Sequence, residues 1–117
     1  MKVLGYIRVS SKIQKKGYSM KNQFIKIKDY CRYKDYDLID VFEDNGISGM
    51  SIDKRDGYKG MLDYMKENSV DGVVVYSLSR LGRRMKDVIE FMDLLKKNNI
   101  KFFSIKENLN NEDKIGS

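Results

Sequence analysis

Segments with the apolar pattern of buried strands alternate with segments of helical periodicity along this chain. We predict four strands, with a helix after each of the first three. Consecutive strand–helix–strand units need crossover connections, so they give a largely parallel sheet with helices on both faces. The predicted strands are Lys2–Val9, Asp37–Glu43, Gly72–Tyr76 and Ile100–Ile105, and the predicted helices cover residues 19–33, 57–68 and, after Ser77–Gly82, the chain up to about Asn98.

The predicted fold is therefore a three-layer α/β/α domain with a mainly parallel sheet of four to five strands. We expect the strand order 2-1-3-4, because it places the two most apolar strands at the centre. Asp44–Lys54 is predicted as a loop, and Lys106–Ser117 shows no clear pattern. The apolar stripes of the helices are predicted to be core; they comprise Met20, Phe24, Ile27 and Cys31, then Tyr58, Met61, Leu62 and Met65, then Met85, Val88, Ile89, Met92 and Leu95.

Composition excludes several classes of function. A chain of 117 residues with 41% hydrophobic residues fits one globular domain. No apolar run approaches the roughly 20 residues that span a bilayer, so we expect a cytoplasmic protein without a membrane segment. Cys31 is the single cysteine and histidine is absent. An internal disulfide, a zinc centre and any Ser-His or Cys-His mechanism are therefore excluded, and we expect no metal and no small-molecule cofactor.

Charge is unevenly distributed along the chain. Residues 1–34 carry ten Lys or Arg and one acid, whereas residues 35–79 carry ten acids and four bases. Residues 80–101 are basic again, with a net charge of +4. Two basic blocks that flank an acidic one are consistent with a basic face that follows a phosphate backbone. The alternative is a lysine-rich surface that keeps the protein in solution, and it is favoured for the lysines alone but not for the arginines.

The first predicted strand ends in a group of polar side chains that can bind a ligand or react with it. Strand side chains alternate, so Tyr6, Arg8 and Ser10 share one face. A buried arginine is costly unless an anion meets it. Ser10 would then lie at the carboxyl end of a parallel strand, where α/β enzymes bind their ligands. The alternative is a salt-bridged arginine followed by an ordinary loop serine.

A second cationic motif follows the third strand. Arg80 is spaced to neighbour Arg83 and Arg84 near a helix N-terminus, where cations oppose the helix dipole and repel one another. A bound phosphate would relieve both effects. The alternative is surface arginines paired with Asp87 or Glu90. The switch point of the sheet lies between strands one and three, so this motif should converge with Ser10.

These residues, taken together, resemble the catalytic domain of serine site-specific recombinases, the resolvase/invertase group, and especially the large serine integrases and transposases. The resemblance covers nearly the whole chain, in order and at consistent spacing. The matching segments are Tyr6–Ser11, Gln14, Ser19–Gln23, Asp44–Gly49, Arg55–Tyr58, Val73–Tyr76 and Ser79–Arg83.

The resemblance implies DNA cleavage by attack of Ser10 on a phosphodiester, which leaves a 5′-phosphoserine bond that religation reverses. It also implies a specific double-stranded DNA site as partner, self-association of the full-length protein into dimers or tetramers, and a bacterial, phage or mobile-element origin. By position, Arg8, Arg80 and Arg83 would bind the scissile phosphate, Arg55 would complete the cationic pocket, Gln14 and Gln23 would orient the site, and Tyr6 would support it.

The chain departs from the family pattern in three respects. Ser79 stands where the family usually has an acid, and Asp56 where relatives often have proline. Residues 1–117 lack the long dimerisation helix and DNA-binding region of the family, so we expect an N-terminal catalytic fragment. A non-catalytic α/β module that binds phosphate or nucleic acid remains the alternative, with the same arginines and an idle Ser10.

Overall fold

A computed structural model describes residues 1–9, 20–45, 56–77 and 85–110, which form a sheet flanked by helices. The chain starts with a strand, and the helices lie in the crossovers between parallel strands. The strands are β1 (Lys2–Val9), β2 (Asp37–Asn45), β3 (Gly72–Val75), β4 (Lys101–Ser104) and β5 (Leu109–Asn110), and the helices are α1 (Met20–Lys34), α2 (Asp56–Glu67) and α3 (Met85–Lys97).

The sheet has the order β2-β1-β3-β4-β5. β1 pairs in parallel with β2 and β3, and β3 pairs in parallel with β4, which confirms the predicted order of the first four strands. β5 adds an antiparallel edge in the segment for which the sequence showed no pattern. β2 lies on one side of β1 and β3 lies on the other, so the order in which strands are added to the sheet reverses here, and the switch point between β1 and β3 lies where predicted.

β2 continues two residues beyond its predicted end. Arg8 and Val9 extend the ladder by pairing with Asp44 and Asn45. The prediction that Asp44 begins a loop was therefore wrong, because the length of β1 provides pairing partners that the local sequence does not reveal. Asp44 becomes the last inward-facing position of β2, and this position is important for the site described below.

Hydrophobic clusters cover both faces of the sheet. On one face, α1 packs Ile27 and Cys31 against Ile7 and Phe103. On the other, residues of α2 and α3 pack against alternate residues of the same strands. Aromatic rings connect that second layer, since the ring of Phe91 lies 5.4 Å from the ring of Tyr58 and 6.3 Å from that of Phe102. The members of this larger cluster that come from β1 and β3 are Leu4, Tyr6, Val73 and Val75.

The α2 stripe was predicted correctly, and the other two only in part. On α1, Phe24 is 40% exposed, and Gln23 is buried in its place. On α3, Met85 and Ile89 are exposed, whereas Phe91 is buried. In both helices the buried face is rotated from the most hydrophobic stripe, because the contacts with the sheet, rather than apolar content, determine which face is buried.

Two helices end in residues with left-handed backbone conformations. Asp35 after α1 has φ 63° and Asn99 after α3 has φ 59°. In each case the following N–H bonds back to the helix, Tyr36 to the carbonyl of Cys31 and Ile100 to that of Leu95, both at 2.8 Å. These C-terminal caps turn the chain directly into the next strand. None of the helices in the described ranges has the length and apolarity needed to cross a membrane.

Candidate active site at the carboxyl end of the first strand

A buried hydrogen bond links β1 to β2 close to their carboxyl ends. The hydroxyl group of Tyr6 donates to Oδ2 of Asp44 over 2.6 Å, and both side chains are buried. Tyr6 lies in the cluster on the α2 side of the sheet, where its ring meets that of Tyr58 at a centroid distance of 5.8 Å. The Tyr6 hydroxyl is therefore held in a fixed position by the Asp44 carboxylate and by ring packing.

The same carboxylate caps helix α2. Oδ1 of Asp44 accepts a 2.8 Å bond from the N–H of Gly57, and Oδ2 accepts a 3.0 Å bond from the N–H of Tyr58. The N–H groups of a first helical turn have no partner inside the helix, and the helix dipole favours a negative charge there. Asp44 thus satisfies two of these donors and fixes the start of α2 against the sheet.

Close backbone contact makes this cap possible. A Cβ atom built on Gly57 would lie 2.3 Å from the carbonyl oxygen of Glu43, so only glycine allows α2 to approach β2 this closely. Arg55 directly precedes α2 in the sequence and lies outside the described residues. The cap therefore fixes the start of α2, the helix that Arg55 precedes in the sequence.

Arg8 is a buried cation two residues before Ser10. Its side chain is 7% exposed, and it pairs in register with Asp44 of β2. Paired residues on neighbouring strands project from the same face, so the guanidinium group and the carboxylate lie on the α2 side. From the opposite face, the Nε2 group of Gln23 donates a 3.3 Å bond to the carbonyl of Arg8. The end of β1 is thus held from both sides of the sheet.

The predicted site residues fall into two groups. Tyr6, Arg8 and Gln23 are described, and all three are buried around the last residues of β1. β3, the neighbour of β1 at the switch point, leads to the buried Ser77, after which the Arg80 motif begins. The other five predicted residues lie outside the described residues; they are Ser10, Gln14, Arg55, Arg80 and Arg83.

One residue of this arrangement was not among the predicted site residues. Asp44 was placed in a matching motif but was given no role. The sequence contained one signal for a role of Asp44. Asp44 follows Phe42 by two residues, and residues two apart in a strand project from the same face, so its carboxylate shares the face of an inward-facing aromatic ring. On α3, Asp87 is buried and Glu90 is exposed. The arginines for which these two acids were the alternative partners lie outside the described residues. Within the described ranges, no cluster of three His, Cys, Asp or Glu side chains could hold a metal ion.

Comparison with known proteins identifies the family. Residues 3–117 match the family model "Resolvase, N terminal domain". The chain is 33% identical over 106 residues to the transposon Tn552 resolvase of Staphylococcus aureus, covering 91% of this chain and 47% of that protein. It is 28% identical over 114 residues to the transposon Tn917 resolvase of Enterococcus faecalis, covering 97% and 54%. The chain thus spans about half the length of the curated relatives it matches.

Solved structures share the fold. The N-terminal catalytic domain of TP901-1 integrase superposes with a TM-score of 0.88 at 28% identity, covering 99% of this chain and 85% of that chain. A resolvase family site-specific recombinase from Streptococcus pneumoniae gives 0.83 at 30% identity, with coverages of 97% and 78%. The sheet order, the buried Tyr6 and Arg8 at the end of β1 and the family match agree: this chain belongs to the resolvase family and corresponds to its N-terminal domain.

Proposed function

We propose that this chain is the catalytic domain of a site-specific recombinase that cleaves and rejoins DNA through Ser10. The Oγ atom of Ser10 attacks the phosphorus of a phosphodiester, and the P–O3′ bond breaks. The serine loses its proton, and the departing strand leaves with a 3′ hydroxyl. The 5′ phosphate remains on the serine, so the bond energy is conserved for religation by the 3′ hydroxyl of an exchanged strand.

The observation that carries this proposal is the buried guanidinium group of Arg8 at the end of β1. Arg8 is 7% exposed and precedes Ser10 by two residues, in a strand that borders the switch point. A phosphoryl-transfer transition state concentrates negative charge on its oxygens, and a preorganised cation in a site of low dielectric stabilises that charge. The main chain that carries this cation is held before the substrate binds, because Gln23 donates to the carbonyl of Arg8 and the β2 ladder pairs with it.

The remaining roles are those that the resemblance to serine recombinases implies, carried over by position in the sequence. Arg80 and Arg83 bind the scissile phosphate together with Arg8, and Arg55 completes the pocket from the segment before α2. Gln14 and Gln23 orient the site, and Tyr6 supports it through Asp44. A serine at position 79 cannot supply a carboxylate, so proton transfer from Ser10 has to use another group.

Double-stranded DNA at a specific recombination site is the proposed partner. Both curated relatives described above are transposon resolvases of bacteria, which supports a bacterial, mobile-element setting and action in the cytoplasm. Those relatives are about twice as long as this chain, so residues 1–117 are proposed to be the catalytic part of a longer protein. That protein is expected to form dimers or tetramers when it exchanges strands.

A trapped covalent complex tests the proposal. The full-length protein is incubated with DNA that carries its recombination site and a nick that prevents religation, and protein–DNA adducts are resolved under denaturing conditions. We expect an adduct on the 5′ phosphate that Ser10→Ala abolishes. Arg80→Ala is expected to lower the rate of adduct formation about 100- to 1,000-fold, which is typical of losing one contact to a developing oxyanion.

Two outcomes would contradict the proposal. An adduct that persists in Ser10→Ala would assign the nucleophile to another residue. DNA binding without any adduct in the wild-type protein would instead favour the non-catalytic phosphate-binding module. Ser11→Ala is the matched control, because it removes a neighbouring hydroxyl group and should leave the adduct yield unchanged.

A further inference from the structure

We propose that the exposed basic surface of α1 binds the phosphate backbone of duplex DNA beside the cleavage position, independently of base sequence. The inference rests on the proposed function, because it takes the recombination DNA as the ligand. It adds a contact surface outside the pocket proposed around Ser10. This α1 basic surface consists of the exposed side chains of Lys21, Lys26, Lys28, Arg32 and Lys34.

The charge of α1 differs from that of the other helices in the described ranges. α1 carries five Lys or Arg and one acid, Asp29, and all six side chains are exposed. α2 carries two basic and three acidic residues, and α3 carries three of each. A helix face that is only solvated usually mixes charges and gains from pairs of opposite sign four residues apart. The composition of α1 instead favours an external anionic partner.

The positions of these cations disfavour the helix when no anion is bound. The first turn of α1 contains no acid and includes Lys21, although the helix dipole favours negative charge there. Lys28 and Arg32 stand four residues apart, where like charges on adjacent turns repel each other. Phosphates that neutralise these cations remove both effects, so a bound polyanion stabilises α1.

Three of the cations form a row along the helix. Lys21, Lys28 and Arg32 are separated by seven and four residues, so they lie on one face. At a rise of about 1.5 Å per residue, the row is roughly 16 Å long. Phosphates of one DNA strand follow one another at about 3.4 Å along the duplex axis, so the row can meet several of them. Nζ of Lys28 lies 5.4 Å from the centroid of the Phe24 ring, a contact that restricts this side chain before DNA binds.

The row begins at the edge of the candidate active site. The 3.3 Å bond from Gln23 to the carbonyl of Arg8 places the first turns of α1 against the end of β1, and the exposed Lys21 precedes Gln23 by two residues. The helix ends beside the start of β1, because the N–H of Asp37 bonds to the carbonyl of Met1 over 2.8 Å. A duplex with its scissile phosphate at the end of β1 therefore meets the row with flanking phosphates.

An acidic neighbour sets the limit of this surface. Glu43 pairs with Ile7, which belongs to the cluster on the α1 side, so Glu43 projects toward α1. It lines the groove between α1 and β2 together with the three cations of the row. A phosphate backbone is repelled by this carboxylate, so it is held over the row at the rim and does not enter the groove.

The salt dependence of DNA affinity tests the surface. Binding of the 117-residue chain to a short duplex of random sequence is followed by fluorescence anisotropy over a range of salt concentrations. Each phosphate that a cation neutralises contributes about −0.9 to the slope of the logarithm of the association constant against the logarithm of salt concentration. Lys21→Gln with Lys28→Gln and Arg32→Gln should therefore make the slope less steep by about 2 to 3 and weaken binding in low salt about tenfold or more.

The matched control is Lys66→Gln with Lys96→Gln and Lys97→Gln. It also removes three exposed cations, from the last turns of α2 and α3, which pack on the other face of the sheet. Its slope should stay within about 0.5 of the wild-type value, since these cations meet no phosphate. Circular dichroism checks that both triple variants are folded. A wild-type slope in the α1 variant, or equal losses of affinity in the two variants, would overturn the proposal.

The measurement needs no cleavage, so it separates this surface from the chemistry proposed for Ser10. A covalent adduct in the full-length protein, combined with an unchanged slope in the α1 variant, would refute the surface and leave catalysis intact. A less steep slope in the α1 variant without any adduct would support the surface and refute the catalytic proposal.

An acidic protein is the competing partner for the α1 basic surface. The affinities of wild type and the α1 variant for polyglutamate are measured beside their affinities for the duplex. We expect the larger loss for the duplex, because a stiff duplex presents its phosphates along the whole row, whereas a flexible polypeptide must first be ordered. A larger loss for polyglutamate would assign the surface to an acidic protein and overturn the proposal.

Discussion

The hydroxyl group of Tyr6 donates a 2.6 Å hydrogen bond to the carboxylate of Asp44, and both groups are buried. The same carboxylate accepts the N–H groups of Gly57 and Tyr58. One side chain of β2 therefore joins β1 to the start of α2. Since Arg8 follows Tyr6 in β1 and Arg55 directly precedes α2, this carboxylate connects the two segments that carry proposed phosphate-binding cations.

Tyr6→Phe is expected to lower the free energy of unfolding by about 1.5–3 kcal/mol, the usual range for a hydrogen bond to a charged group. The substitution keeps the ring and its edge contact with Tyr58, so the loss reports the hydrogen bond. Urea unfolding with an unchanged slope measures it. Tyr33→Phe is the control, because Tyr33 is 84% exposed and its loss should stay within about 0.5 kcal/mol. Equal losses in both variants would show that the buried hydrogen bond of the Tyr6 hydroxyl contributes no more to the free energy of unfolding than the exposed hydroxyl of Tyr33.

Asp44→Asn is expected to be more damaging than Tyr6→Phe. The Asp44 carboxylate accepts three hydrogen bonds through its two oxygens, whereas an amide has one accepting oxygen and no charge. The substitution also removes a negative charge from the N-terminus of α2. We expect a loss of about 2–4 kcal/mol, built from one charged hydrogen bond and one helix cap. Adduct formation with DNA should fall even at temperatures at which the variant is fully folded.

A double-mutant cycle separates the two contributions. Tyr6→Phe and Asp44→Asn share one hydrogen bond, so their effects on the free energy of unfolding should be less than additive by about 0.5–3 kcal/mol. Strict additivity would mean that the two groups act independently. Wild-type adduct yield in the folded Asp44→Asn variant would remove any role of this carboxylate in positioning the site.

The order of the sheet could be predicted because it depends on features that the sequence displays. Apolar runs such as Gly72–Val75 indicate central strands, and crossover helices require parallel pairing. The shared face of Tyr6 and Arg8 follows from strand alternation alone. These properties arise from local periodicity, so no knowledge of distant contacts was needed.

The role of Asp44 could not be predicted in the same way. Asp, Asn and Gly in succession are typical of a turn, and only the continued ladder with Arg8 makes Asp44 part of a strand. Gln23 gives a similar case: apolar content favours Phe24 for the buried face of α1, but the carbonyl of Arg8 accepts a bond from the Gln23 amide. Both cases depend on partners that are distant in the sequence.

Gly57→Ala is expected to destabilise the domain strongly. The added methyl group would lie 2.3 Å from the carbonyl oxygen of Glu43, so α2 would have to move away from β2 and its cap on Asp44 would lengthen. We expect a loss of about 2–4 kcal/mol, the combined size of overpacking and a lost cap. Chemical denaturation provides the measurement.

Gly60→Ala is the matched control in the same helix. A Cβ atom there would lie 3.6 Å from the ring of Phe42, an ordinary contact, and alanine favours a helix interior over glycine by up to about 1 kcal/mol. This variant should therefore be as stable as wild type or more stable. A Gly57→Ala variant that gains stability in the same way would show that α2 can shift without cost.

Cys31 predicts a specific dependence of stability on pH. Burial raises the pKa of its thiol from 9.0 to about 11, because the thiolate is poorly solvated beneath α1. Between pH 9 and 11 the unfolded chain loses this proton while the folded chain keeps it, so the free energy of unfolding falls as pH rises through that interval. The stabilising contribution is complete below pH 9, and its loss amounts to at most about 3 kcal/mol.

Urea unfolding of wild type and Cys31→Ala at pH 8, 9, 10 and 11 isolates the effect, since lysines and tyrosines titrate alike in both. We expect the difference in stability between the two proteins to shrink steadily above pH 9, and a difference that stays constant to pH 11 would show that the thiol is solvated in the folded chain.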